Sequence, residues 1–226
     1  MSKTDHLRNV PIFKDLNESD LIKIGVKMIP RVYEKGQMIL LEESSGETFF
    51  IITKGAVKVT RLSVDGREVI LAILGESDFF GEMSLLDGEG RSANIVANDD
   101  STVLTLSRRD FLDCLESFPK IAIALLEELA VRLRKSDQQI KSLSLSDSEQ
   151  RIGIALIRLA EELGKIIRGN VTIKNIPFQQ DIANMAGTSR ETVSRTLKLF
   201  EDKSLVNREN RDLTIYNFDA FCQIFS

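Results

Sequence analysis

FFGEMSLLDGEGRSANIVA, residues 79–97, places a compact set of anion-binding groups between two runs of β-forming residues. Gly81 lets the backbone approach a ligand closely, and EMSLL is long enough for one helical turn, whose free N–H groups and dipole favour negative charge. Glu82 offers a carboxylate to a pair of sugar hydroxyls, and Arg91 offers a fork of donors to phosphate oxygens. Ser92 adds a hydroxyl and an N–H beside Arg91. One buried arginine facing one phosphate diester is charge-balanced, which is the chemistry that a cyclic nucleotide requires.

The residues around this run read as strands. From Arg31 to Leu106 the chain falls into short β-rich pieces, MILLEE, TFFIITKG, AVKVTRLS, REVILAIL, NIVAN and STVLTLS. Gly36, Gly46, Gly55, Gly66 and Gly75 recur every nine to eleven residues, as expected where an antiparallel barrel turns its corners. Val64-Asp65-Gly66-Arg67 holds the Asp-Gly pair of a tight hairpin. Ahead of the strands, Asn17 and Ser19 are candidate caps for a helix from Asp20 to Met28.

Beyond Pro119 the period changes. Leu126, Leu129, Leu133, Ser136, Ile140 and Leu143 step by 3, 4, 3, 4 and 3, a heptad seam on a helix of about 25 residues, nearly 40 Å long. Such a length exceeds what one small barrel covers, so the seam predicts a homodimer. A helix lying along its own barrel is the other use of the same stripe. SLSLSDSEQR ends the pattern, and Asp147 stands as the cap of a new helix from Ser148 to Leu163. A short strand from Asn170 to Ile176, a helical region from Phe178 to Arg208 with one break, and a terminal strand from Leu213 to Asn217 complete the reading.

The broken helical region, QQDIANMAGTSRETVSRTLKLF at residues 179–200, fits a helix-turn-helix. Ile182, Ala183 and Ala186 face the core, Gly187 makes the turn, Thr188 or Ser189 caps the second helix, and Val193 packs it. Arg190 and Arg195 suit bidentate bonds to guanine O6 and N7, and Glu191 suits cytosine N4. Ser189, Thr192, Ser194 and Lys198 complete the DNA-facing set, with Thr192, Ser194 and Lys198 on phosphates.

The 226 residues are 42% hydrophobic and 28% charged, ordinary for a globular chain of two domains. The net charge of −4 does not exclude nucleic acid. Residues 147–226 balance 11 Lys and Arg against 11 Asp and Glu, so the whole deficit lies in residues 1–146. No run approaches the roughly 20 apolar residues of a membrane span, and MSKTDHLRNV has no signal-peptide core, which predicts a cytoplasmic protein without a membrane partner. Cys114 and Cys222 are far apart and read as reduced and structural. His6 reads as a solvated terminal residue, so no catalytic triad or metal cluster is expected and the chain is not read as an enzyme.

Through Phe-Gly-Glu at residues 80–82, Arg-Ser-Ala at 91–93 and SRETVSR at 189–195, the chain resembles the cyclic AMP receptor protein and the fumarate-nitrate regulator family of bacterial transcription factors over essentially its whole length. The resemblance implies an α+β fold: an N-terminal cyclic-nucleotide-binding β-roll at 1–118, a long dimerisation helix and hinge at 119–146, and a C-terminal winged helix-turn-helix at 147–226. It places Gly81 and Glu82 on the ribose and Arg91 and Ser92 on the cyclic phosphate. It also brings Ser136 and Asp137 to the base, where the family has a Thr-Ser pair. Asp137 departs from that pair, and an ionised carboxylate accepts but does not donate, so it suits the N6 amine of adenine or N1 and N2 of guanine and leaves the base open between cAMP and cGMP. The implied partners are double-stranded DNA with a palindromic TGTGA-like site, a second copy of the chain, and RNA polymerase. Neither the N-terminal cysteines of the iron–sulfur members nor the axial histidine of the haem members is present. Two alternatives stay open: a ligand-independent regulator with a vestigial pocket, and a cyclic-nucleotide-binding module whose helical tail binds protein.

Overall fold

The run Phe49-Phe50-Ile51-Ile52 is apolar at every position because the sheet that contains it is buried on both faces. In the computed structural model, which describes residues 2–63, 66 and 68–225 and only the backbone of 142–145, these residues lie in β3 (Thr48–Lys54). Asp65 of the expected Asp-Gly turn and the side chain of Leu143 lie outside the described residues. Phe50 and Ile52 point inward to a core shared with Val57, Phe80, Ile95 and Val103. Phe49 and Ile51 point outward to a second core made with helices, where Phe111 stacks on Phe49 at 4.5 Å between ring centroids.

The chain divides into two compact units, Met1–Arg61 with Ala72–Lys135, and Leu62–Leu71 with Ser136–Ser226. The strands preceding the first helix-rich stretch form two four-stranded sheets. One sheet has the order β1 (Ile29–Tyr33), β8 (Ser101–Ser107), β3, β6 (Phe79–Phe80); the other has the order β2 (Met38–Leu40), β7 (Asn94–Ala97), β4 (Val57–Leu62), β5 (Glu68–Leu74). Their inner faces enclose the core around Phe50 and Phe80, which is the expected β-roll. Helices α1 (Lys3–Arg8) and α2 (Glu18–Lys27), a 3-10 turn at Pro11–Phe13, and α4 (Arg108–Ser117) cover the outer face of the first sheet. Helix α2 starts two residues earlier than expected, because the Asn17 side chain accepts from the Asp20 N–H and Ser19 already lies inside the helix. His6 is a half-buried member of α1 rather than a solvated end.

Helix α5 (Pro119–Leu145) is the long helix expected beyond Pro119. Its first turns bury Ile121, Ala124 and Leu125 in the helix-side core. Leu129, expected on the seam, shares the face of Ile121 and Leu125 at four-residue steps and is partly buried against the same core. Leu126, Leu133 and Ile140 point the other way and are 67%, 64% and 64% exposed, and Ser136 is exposed as well. The Leu129 edge of the stripe is thus partly covered by its own unit, while the rest of it is exposed.

The second unit is built on α6 (Ser148–Leu163), which begins at the Asp147 cap as expected. A four-stranded sheet follows in the order β11 (Val206–Glu209), β12 (Asp212–Ile215), β10 (Asn170–Ile173), β9 (Gly164–Ile167), with α7 (Gln179–Ala186), α8 (Arg190–Asp202) and the terminal α9 (Phe218–Phe225). The helical region expected to reach Arg208 stops at Asp202, because Ser204 takes a φ of +55° and Val206 enters the sheet opposite Ile215. Phe200, Phe221 and Phe225 form an aromatic cluster with centroid separations of 4.8–5.9 Å.

Gly153 on α6 makes room for that cluster: a Cβ there would lie 2.3 Å from the Phe225 ring. Gly153→Ala is expected to overpack the site and cost about 1–3 kcal/mol. Calorimetry of the full chain checks this as a lowered transition; an unchanged transition would show that Phe225 is not seated on α6.

Candidate functional site

The 79–97 run folds as its composition suggests. β6 ends in Gly81, whose φ of +84° suits only a residue without a side chain, and Glu82 then leads into α3 (Met83–Asp87). After Gly88 the chain returns through Arg91, whose backbone is fixed on both sides: its N–H donates to the Ser44 carbonyl and its carbonyl accepts from the Glu43 N–H, each at 2.9 Å. The Arg91 side chain is only 5% exposed. Its Nη1 donates to the Gly81 carbonyl and the Ser84 hydroxyl, both at 2.8 Å, and its Nη2 donates to the Thr48 carbonyl at 2.9 Å. Nε is buried without a partner among the described residues. Burial pulls the guanidinium below its ordinary pKa, while the Glu82 and Glu47 charges oppose that shift.

Glu82, 3% exposed, is bonded elsewhere. Arg132 of α5 donates from Nη1 to its carboxylate at 3.0 Å and from Nη2 to the Phe79 carbonyl at 2.7 Å, with the guanidinium 4.4 Å from the centroid of the Phe79 ring. The expected sugar carboxylate and the expected phosphate arginine thus lie in one cradle but hold different partners. Ser92 is exposed at the rim, its hydroxyl 3.6 Å from Met83 Sδ.

Four cradle residues escape the sequence reading: Gly46, Thr48, Ser84 and Arg132. A Cβ on Gly46 would lie 2.1 Å from Ser84 Oγ and 2.9 Å from Arg91 Cζ, so that glycine holds the space in which the guanidinium sits. Arg132 had a signal, since it lies four residues before Ser136 on the same face of the helix. Ser136 and Asp137 are exposed on α5 in the other compact unit.

In the second unit, α7 ends in Gly187, which adopts φ +58° and makes the turn. Ser189 caps α8, its hydroxyl accepting from the Thr192 N–H at 3.2 Å. Ile182, Ala183, Ala186 and Val193 are buried, as a helix-turn-helix requires. Arg190, Glu191, Ser194, Arg195 and Lys198 are exposed along one face of α8. Thr192 differs from these: it is half-buried and its hydroxyl pairs with Ser189 at 3.1 Å. The Glu191 carboxyl is held below its ordinary pKa, first by its backbone N–H and then by the Ser189 hydroxyl, with Arg190 and Arg195 adding attraction. It is therefore an ionised acceptor between two guanidinium groups. Arg208 of β11 grips Glu201 of α8 with two bonds of 2.8 and 2.7 Å, fixing the β-wing to the helix.

No group of His, Cys, Asp and Glu among the described residues is arranged to hold a metal ion, and no described helix is long and apolar enough to cross a membrane. Burial raises the thiol pKa of both Cys114 and Cys222.

A β-roll of this kind followed by a winged helix-turn-helix defines a two-domain transcription regulator. Residues 30–118 match the cyclic nucleotide-binding domain family, and residues 150–224 match the Crp-like helix-turn-helix domain family. The cyclic AMP receptor protein of Thermus thermophilus is 36% identical over 201 residues, 88% of this chain and 89% of that protein. A CRP-like cAMP-activated global transcriptional regulator of Mycobacterium tuberculosis is 29% identical over 209 residues, 92% and 93% of the two chains. Among solved structures, FixK2 of Bradyrhizobium japonicum shares the fold with a TM-score of 0.78 at 22% identity, over 88% of this chain and 98% of that one. The chain belongs to the cyclic AMP receptor protein/fumarate-nitrate regulator family. It is a DNA-binding transcription regulator rather than an enzyme, and the reading of its helical tail as a protein-interaction module is set aside by the helix-turn-helix match.

Proposed function

We propose that this regulator binds a cyclic nucleotide, cAMP as in the names of its relatives, and as a cytoplasmic homodimer recognises a palindromic TGTGA-like site near which it contacts RNA polymerase. The observation that carries the ligand reading is the Arg91 guanidinium, buried among carbonyls and a hydroxyl with no carboxylate within ion-pair distance among the described residues. A buried charge of this kind is costly without a counter-charge, and the phosphate diester of a cyclic nucleotide supplies one. Ser92 and the start of α3 add donors to the same phosphate, Gly81 and Glu82 take the ribose, and Ser136 and Asp137 take the base. The β-roll of 1–118, the dimerisation helix of 119–146 and the reader of 147–226 then divide sensing, pairing and DNA binding.

One observation favours the rival reading of a ligand-independent regulator. Glu82 is already satisfied by Arg132, so a ribose has to share or displace that bond. Calorimetric titration with cAMP and with cGMP, together with gel shifts with and without each, separates the two readings. Heat and an enhanced shift support ligand control; silence in both supports the ligand-independent form.

On DNA, Arg190 and Arg195 read guanines, Glu191 reads a cytosine, and Ser189, Thr192, Ser194 and Lys198 hold the backbone. Arg190→Ala is expected to cost roughly 1–3 kcal/mol on the preferred site and to relax one base position, whereas Lys198→Ala weakens all sequences alike. Binding-site selection with wild type and Arg190→Ala is the check, and identical base preferences would remove α8 from sequence reading.

A further inference from the structure

The single turn of α3 holds a serine, a residue whose hydroxyl competes with the backbone inside a helix and so does little for the helix itself. Ser84 lies two residues beyond Glu82 and is 4% exposed, so its hydroxyl is shut off from water and needs a partner within the protein. That partner is Arg91, whose Nη1 donates to Ser84 Oγ at 2.8 Å. The other bonds of the guanidinium, from Nη1 to the Gly81 carbonyl and from Nη2 to the Thr48 carbonyl, go to main-chain atoms. Among the described residues, Ser84 is thus the one side chain hydrogen-bonded to Arg91.

Two glycines keep the space around this pair. A Cβ on Gly46 would press on Ser84 Oγ and lie 2.9 Å from Arg91 Cζ, and a Cβ on Gly81 would lie 2.9 Å from Arg91 Nη1. The centroid of the Phe50 ring stands 6.0 Å from Arg91 Cζ. An arginine side chain has five N–H donors, of which Gly81, Ser84 and Thr48 engage one each. The Nε–H and one N–H of Nη2 remain, two donors on a rigid fork and enough for two bonds to a phosphate diester. A long side chain that is free before it binds loses that freedom on docking, whereas one that is already held does not.

We propose that Ser84 is a positioning residue of this cradle, whose hydroxyl fixes the Arg91 guanidinium so that Nε and Nη2 are presented to the phosphate of a cyclic nucleotide. This rests on the reading of Arg91 as the phosphate arginine. Ser84 acts only through the fork. It also sharpens the distinction between the two exocyclic oxygens of the phosphate, because a fixed fork favours one of them and a swinging fork averages over both.

The test is calorimetric titration of the full chain with cAMP and cGMP, and with the two phosphorothioate diastereomers of whichever binds more tightly. Each diastereomer replaces a different exocyclic oxygen by sulfur, a weaker acceptor, so the ratio of their dissociation constants reads the orientation of the fork. Ser84→Ala is expected to weaken binding of the parent nucleotide about three- to tenfold and to bring that ratio toward one. Ser84→Cys fills nearly the same volume with a weak acceptor and should match Ser84→Ala, whereas a packing role would leave it at the wild-type affinity. Arg91→Lys keeps the charge but removes the fork, so it weakens binding by itself, and adding Ser84→Ala to it should change affinity less than about twofold. If the wild type binds and Arg91→Lys weakens it while Ser84→Ala keeps the wild-type affinity and ratio, Arg91 holds the phosphate and the positioning role of Ser84 is overturned. A Ser84→Cys variant that behaves as wild type, or a loss from Ser84→Ala that is as large in the Arg91→Lys background, overturns it as well. If the wild type gives no heat with either nucleotide, or if Arg91→Lys binds as tightly as wild type, the phosphate reading of Arg91 falls and this proposal with it.

Discussion

Arg91→Ala is expected to weaken cyclic-nucleotide binding by about 30- to several-thousand-fold, because removing one member of a buried charge pair costs about 2–5 kcal/mol. The sign of the effect on the ligand-free protein separates a sensing role from a structural one. In the cradle the guanidinium is bonded to the Gly81 and Thr48 carbonyls and the Ser84 hydroxyl, but among the described residues Nε has no partner and no carboxylate lies within ion-pair distance. Buried charges with incomplete compensation are often replaced by apolar residues of similar volume at no loss of stability. Arg91→Met should therefore melt at or above the wild-type temperature while losing the same affinity for cAMP and cGMP. A variant that melts lower yet still binds nucleotide would make Arg91 a structural strut and remove it from the ligand site.

The parts of this regulator that could be read from the sequence are those in which the chemistry is local. Gly81, Glu82, Arg91 and Ser92 fall within a dozen residues, so strand, turn and single helical turn bring them together whatever the rest of the chain does. Gly187 and the Ser189 cap likewise announce the helix-turn-helix through backbone requirements of their own. Arg132 was hidden because it reaches Glu82 from 50 positions away, a meeting that periodicity on one helix does not encode. The partial burial of Leu129 has a related cause: apolar residues at steps of three and four describe a stripe wide enough for two partners, and only the position of the barrel decides which edge its own unit covers. Beyond Asp202 the helical pattern continues in composition, but Ser204 in the left-handed region and the pairing of Val206 with Ile215 turn the chain into a wing. A two-residue wing turn then puts Arg211 beside Phe178, 33 positions apart, where a residue pattern gives no hint of their stacking.

Leu133→Glu is expected to convert the protein from dimer to monomer at micromolar concentration. Leu126, Leu133 and Ile140 recur every seven residues and expose most of their surface, so on a two-fold seam each meets its own copy. Replacing Leu133 removes two apolar side chains from that seam, about 3–6 kcal/mol at 1.5–3 kcal/mol each, and sets two carboxylates against each other. Dimer affinity should fall by at least about 100-fold. Leu129→Glu would lower stability instead, since that side chain packs on the core of its own unit, and this contrast distinguishes a seam from a general loss of fold. The DNA consequence is geometric. Two recognition helices related by a two-fold axis enter successive major grooves about 34 Å apart on one face of the duplex. Adding five base pairs between half-sites rotates one of them by about half a turn, so wild-type binding to the expanded palindrome should drop to the level of a single half-site. Leu133→Glu should bind both spacings equally and at that same low level. Sedimentation equilibrium measures the first outcome and a gel shift the second. A wild-type chain that sediments as a stable monomer, or one that is indifferent to the insertion, would show that this stripe does not pair the protein on DNA.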